Sequence, residues 1–240
     1  MLLQGALAQR IIIVLIAQIW PIFYCCYFAY KLLKRAKNRA TYTLSSLFIL
    51  LALSFLFASL SVLLSYTPFA YTIFIISIYF FFFTHSLFVI FTWLLVRLDN
   101  KFPHWKFYLG ITFYGIISSF VFWIGFFLKG VRLDSTTGWV PIYSWLFLVV
   151  SWTLLFTFVI IPQIFLSFKL VKVFEGKVLR RRINMYIVSV FLELSIVFAL
   201  FLYNTWIENA IYRIIYPSIF PIIGTIAAFL IYKSFGKELE

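Results

Sequence analysis

TYTLSSLFILLALSFLFASLSVLLSYTPFAYTIFIISIYFFFFTHSLFVIFTWLLV, residues 41–96, contains no Asp, Glu, Lys or Arg. A helix crosses the hydrocarbon core of a bilayer with about 20 apolar residues at a rise of about 1.5 Å each. This stretch is too long for one crossing and long enough for two. The break falls at Ser65-Tyr66-Thr67-Pro68, where proline removes a backbone donor and favours a turn. Two spans follow, over 42–66 and 69–96.

Working outward, the same reading predicts spans over 11–30, 107–128, 140–168, 183–203 and 211–232. The expected fold class is an all-α polytopic membrane protein, one domain of seven transmembrane helices over residues 1–240. The composition agrees. Of 240 residues, 65% are hydrophobic and 11% charged, where an average soluble protein has roughly a quarter charged. With a mean hydropathy of +1.06, too little polar surface remains to solvate a globule. A transmembrane β-barrel would need strands alternating apolar and polar residues. Continuous apolar runs such as Tyr79–Phe83 and Leu146–Val150 exclude it.

The formal charge of +13 would suit a nucleic-acid binder, so the positions of the basic residues decide its meaning. With the amino terminus outside, sixteen of the 20 Lys and Arg fall on the cytoplasmic side. They are Lys31, Lys34, Arg35, Lys37 and Arg39 after the first span, and Arg97, Lys101 and Lys106 after the third. Lys169, Lys172, Lys177, Arg180, Arg181 and Arg182 close the fifth, and Lys233 and Lys237 lie in the tail. Arg10, Lys129, Arg132 and Arg213 remain outside. The positive-inside rule then sets the amino terminus outside and the carboxyl terminus inside, as a multi-pass protein of the cell membrane. Anionic inner-leaflet lipid, attracting each cation by about 1 kcal/mol, becomes the expected partner of the charge. Nucleic acid is not expected.

The first span lacks a basic region before Arg10 and carries its positive cluster on the far side, so it reads as a retained anchor and not a signal peptide. Cys25 and Cys26 form neither a zinc set nor a loop bridge and read as core residues. Spans 1 and 5 read as continuing inward, through 30–37 and 168–179. Lys169 and Lys172, beside Arg180, Arg181 and Arg182, then form either a snorkelling collar on the lipid or a docking surface for a cytoplasmic partner.

Ionisable groups inside a bilayer are costly, which makes each a functional candidate. Glu193 and His85 stand out, with the polar Gln18. Each lies 11 to 13 residues from the basic collar, roughly 16–20 Å and so near the midplane. Two readings apply to a Glu193–His85 pair: a site that titrates or binds a polar ligand, or a polar bridge in helix packing. A second polar group sits at the outer mouth, with Asp134, Trp139, Asn204 and Glu208 as candidates. Zinc chemistry needs three or four ligands, which two His, one of them in the loop at His104, cannot supply. The last span has no lysine before Lys233 for a retinal-type Schiff base, so no cofactor is expected. No phosphate loop, nucleophile elbow or kinase signature occurs, and an enzyme is not expected.

Three segments carry a family likeness: the Arg39–Ala58 run, Gly138-Trp139-Val140-Pro141 before the fifth span, and Pro221-Ile222-Ile223-Gly224 in the last. In these the chain resembles the seven-helix membrane sensory region at the front of some prokaryotic sensor histidine kinases. The resemblance implies a receptor-like sensor. Residues 1–240 hold no phospho-accepting His segment or kinase domain, so signalling is expected to pass through a separate cytoplasmic protein.

A different pattern supports a second expectation. An offset of 141 residues pairs Pro21 with Pro162, Lys31 with Lys172, Arg39 with Arg180, Ser54 with Ser195, Tyr71 with Tyr212 and Thr84 with Thr225. The two halves would be parallel three-helix repeats joined by the fourth span. This 3+1+3 layout is similar to the sugar-exporting and Pro-Gln-loop transporters, and Pro162-Gln163 supplies one such dipeptide. A structural subunit packing through Phe-rich faces is the third reading.

Overall fold

A computed structural model describes residues 2–35, 38–97, 103–174 and 176–235, except the side chains of 2–17 and 35. Of the predicted basic inventory, Arg10, Arg35, Lys37, Lys101 and Lys237 lie outside the described side chains. The described residues form seven helical rods and one small ribbon: α1 Leu2–Arg35, α2 Arg39–Leu63, α3 Phe69–Val96, α4 His104–Phe127, β1 Val131–Arg132, β2 Ile142–Tyr143, α5 Trp145–Val173, α6 Lys177–Thr205 and α7 Ala210–Phe235. Six of these, α2 to α7, are long and apolar enough to cross a membrane. Their outward faces carry Phe113, Trp123, Val149, Ile214, Ile222 and Phe229 exposed, side chains that lipid solvates and water does not. The protein is an all-helical polytopic membrane protein with a short β-ribbon.

The helix ends follow local chemistry. Asn38 caps α2, its side-chain oxygen accepting the Thr41 N–H at 2.8 Å. The predicted break after α2 holds, although the helix stops at Leu63, three residues before the predicted end. Tyr66 there turns through a φ of 76°, and Pro68 leads into α3.

The predicted start of the fifth span at Val140 does not hold. Residues 131–143 fold instead as a hairpin, with Val131 opposite Tyr143 and Arg132 opposite Ile142. Gly138 and Trp139 make the reversal with φ of 61° and 59°, and Pro141 disfavours helix in the residue before it. The helix begins one residue after Ser144, whose hydroxyl accepts the Phe147 N–H at 3.1 Å.

At the other end, the expected inward extension of the fifth helix through 179 is broken. Phe174 is extended and Gly176 takes a φ of 104°. Arg180, Arg181 and Arg182 therefore open α6, where sequence reading put a loop. The two ends are called the hairpin end and the basic end below.

Helix α2 packs along both α1 and α3, α6 packs along α7, and α3 also meets α4 and α5. Phe28 of α1 stacks on Tyr232 of α7 at 4.6 Å and closes the circuit. Helix α3 is the most enclosed of the six spans. Most hydroxyls buried in the apolar interior bond to a carbonyl one turn back, as Thr84 does to Phe80 and Ser118 to Tyr114. Others join helices: Ser45 to the Ala29 carbonyl at 3.0 Å and Ser54 to the Ser77 carbonyl at 2.9 Å.

Candidate functional site

Helix α5 contains one π-turn, Phe156–Ile160, ended where the Ile161 N–H reaches the Phe156 carbonyl five residues back. Pro162 follows, and it has no N–H for the carbonyl of Phe158, its α-helical partner four residues earlier. The Tyr114 hydroxyl of α4 donates to that carbonyl at 2.9 Å instead. Local sequence and tertiary contact thus share the irregularity.

The next residue, Gln163, is fully buried. Its amide donates to the Thr92 hydroxyl of α3 at 3.0 Å, and Thr92 lies 2.8 Å from the Tyr186 hydroxyl of α6. Thr92 and Tyr186 are also fully buried, so three helices meet in a closed polar network. Around it, Tyr186, Phe91 and Phe235 pack mutually edge-to-face at 5.2 to 5.8 Å. This network lies in the part of the interior nearer the basic end.

Two helical turns nearer the hairpin end, α6 presents Glu193, 7% exposed. Tyr24 and Cys25 of α1 and Tyr216 of α7 lie within electrostatic reach of its carboxyl. Among the described residues no donor bonds to that carboxyl. Tyr216 belongs to a stack, 4.7 Å from the Tyr203 ring and 4.9 Å from Phe220. At the hairpin end Arg213 lies 4.3 Å over Tyr203 and donates to its carbonyl at 3.2 Å. A file of tyrosines therefore leads from a cation at one end toward a buried acid.

His85 is elsewhere. Its Nδ1 donates to the Phe81 carbonyl of its own helix at 2.6 Å, and its ring meets Phe81 and Phe88 edge-on. Among the described residues no hydrogen bond or charge interaction links it to Glu193. His85 is a satisfied core side chain. Gln18 bridges α1 to α2 by accepting the Ser59 hydroxyl at 2.8 Å. The three midplane candidates thus occupy three separate settings.

The outer-mouth candidates also divide. Asp134 accepts the Thr136 hydroxyl and the N–H groups of Thr136 and Thr137, at 2.8 and 3.1 Å for the latter two. The Thr136 hydroxyl is foremost among these in holding its carboxyl below the usual carboxylate range. Such a self-contained turn leaves the side chain occupied with its own loop. Trp139 meets Tyr66 edge-on at 5.3 Å, while its buried indole N–H has no partner among the described residues. Asn204 is buried beside Tyr143 of the ribbon, and Glu208 is exposed.

At the basic end Lys169, Lys172, Arg180 and Arg181 are exposed, and Arg182 is half-buried. Lys31, Lys106 and Lys169 each lie over an aromatic ring, Tyr27, Trp105 and Phe165, at 5.5, 5.3 and 4.3 Å.

Sequence reading singled out Glu193 but missed Thr92 and Tyr186. Gln163 carried a usable signal, an amide in an apolar run, though it was read only as half of a dipeptide. Comparison with known protein families, curated proteins and solved structures finds no match to this chain.

Proposed function

We propose that this protein is a seven-helix receptor-like sensor of the cell membrane, with its amino terminus outside and its carboxyl terminus inside. In this reading α1 supplies the seventh crossing, and Glu193 is the group that a proton or a polar ligand engages. The output passes at the basic end, through Lys169, Lys172 and Arg180–Arg182, to a separate cytoplasmic protein beside anionic inner-leaflet lipid. No cofactor or catalytic step is invoked.

The observation that carries the reading is the contrast along α6. Among the described residues no donor bonds to the carboxyl of Glu193, which stands nearer the hairpin end, whereas Tyr186, Thr92 and Gln163 form a bonded, buried network nearer the basic end. An unbonded acid beside a fully bonded network on the same helix suits reception better than passage. The transporter alternative draws less support. Parallel repeats would pack α1 on α2 as α5 packs on α6, yet α1 and α2 run together while α5 meets α6 sparsely.

Paired spin labels test this in nanodiscs, placed at Lys172→Cys and Lys233→Cys in a Cys25→Ala, Cys26→Ala background. The label separation should differ between pH 5.5 and pH 8, and Glu193→Gln should hold the low-pH separation at both. Tyr24, Cys25 and Tyr216 face Glu193, and tyrosine and cysteine ordinarily titrate near about 10 and about 8.5. His85→Phe serves as the control for the other titratable group. Identical separations in wild type at both pH values would overturn a proton-sensing role for Glu193. Net solute flux in sealed vesicles would favour the transporter instead.

A further inference from the structure

At the basic end, α3, α4 and α5 enclose a cleft of about 670 Å³ that is open on its outer side. Trp93 of α3 forms its back, Gly110 and Tyr114 of α4 one wall, and Pro162 and Phe165 of α5 the other. The lining is apolar except at the rim, where Lys106 lies over Trp105. The Tyr114 hydroxyl is already engaged by the Phe158 carbonyl.

We propose that this cleft binds one anionic glycerophospholipid, an acyl chain lying between α4 and α5 and the phosphate meeting Lys106. Three observations select that occupant. From Lys106 to Tyr114 is eight residues of helix, roughly 12 Å, which nearly matches the half-thickness of a bilayer core of about 30 Å. The cleft opens on a side that also exposes Leu109, Phe113 and Phe165, apolar side chains that face lipid and not water. The Lys106 ammonium lies at the same end of the bundle as Lys31 and Lys169, which also lie over aromatic rings, as expected of lysines that snorkel to the headgroups.

Gly110 keeps the wall open, since a Cβ there would approach the Trp93 ring at 3.5 Å. Tyr114 bonds the Phe158 carbonyl of the α5 π-turn and Pro162 follows that turn, so a bound chain rests against the segment that carries Gln163. The site depends on the basic end meeting an anionic leaflet and is independent of what Glu193 senses.

Native mass spectrometry of the detergent-purified full chain tests it, with dioleoyl phosphatidylglycerol and phosphatidylcholine offered in equal amounts. Wild type should retain one phosphatidylglycerol in preference, roughly fivefold for a single lysine–headgroup contact. Lys106→Gln should erase the preference while phosphatidylcholine retention stays unchanged. Gly110→Leu, which favours helix, should fill the cleft and lower retention of both lipids. Equal retention by wild type, or a preference that survives Lys106→Gln, overturns the proposal.

If Gly110→Leu does not purify as a single species, brominated phosphatidylglycerol replaces it as a quencher of tryptophan fluorescence. Quenching should fall when Trp93→Phe and Trp105→Phe are combined. An unchanged quenching profile overturns the proposal equally.

Discussion

Tyr186 and Glu193 lie two helical turns apart on α6, and the protein handles them in opposite ways. Tyr186 is locked: its hydroxyl reaches Thr92 at 2.8 Å, Thr92 accepts from Gln163 at 3.0 Å, and two phenylalanine rings pack against it. Glu193 is also buried, at 7% exposed against 0% for Tyr186, yet accepts no hydrogen bond from any described residue. In a low-dielectric interior a satisfied network rigidifies its surroundings, while an unpaired polar group stays costly. In the proposed reading the first is a clamp and the second is the group that a proton or polar ligand engages.

That contrast can be broken by measurement. The largest effect is expected from Gln163→Ala, which takes the amide from the Thr92–Tyr186 hydroxyl pair and opens space beside the π-turn. Thermal unfolding in detergent should show a loss of about 2–3 kcal/mol. Glu193→Met, of similar volume, removes a buried acid that has no described donor, so stability should be unchanged or raised. A loss as large as that of Gln163→Ala would place both groups in the clamp and end the distinction. The smallest effect belongs to Tyr114→Phe, which strips the donor from the Phe158 carbonyl beside Pro162. About 1 kcal/mol should be lost, and faster amide exchange should be confined to the π-turn of α5.

The spans were legible because continuous apolar runs broken by charge leave few alternatives. The uncharged stretch 41–96 divides at Pro68, and α3 begins at Phe69 as expected. Boundaries were lost where polar residues prolong a helix or apolar residues leave one. Lys177 to Leu179 read as the inward end of the fifth helix and Arg180 to Arg182 as a loop, yet all six form the first turns of α6, because positive charge does not prevent helix. Val140 to Tyr143 read as helix and form a ribbon, because Pro141 and the left-handed turn at Gly138 and Trp139 outweigh hydropathy. The candidate site was legible only in part. An acid in an apolar span announces itself, but Thr92 and Tyr186 look like any hydroxyls that bond to their own helix.

Their meeting with Gln163 is a fact about three helices, not about one. Residues 92, 163 and 186 are far apart in the chain, and no periodicity within a span encodes which faces will touch. The same reasoning separates His85 from Glu193, which match in depth yet lie in different packing environments. The amino-acid sequence by itself determined that the chain is a polytopic helical membrane protein, because transfer energies act residue by residue. Only the tertiary structure decided which buried polar groups are satisfied, because a hydrogen bond between helices depends on the geometry of both.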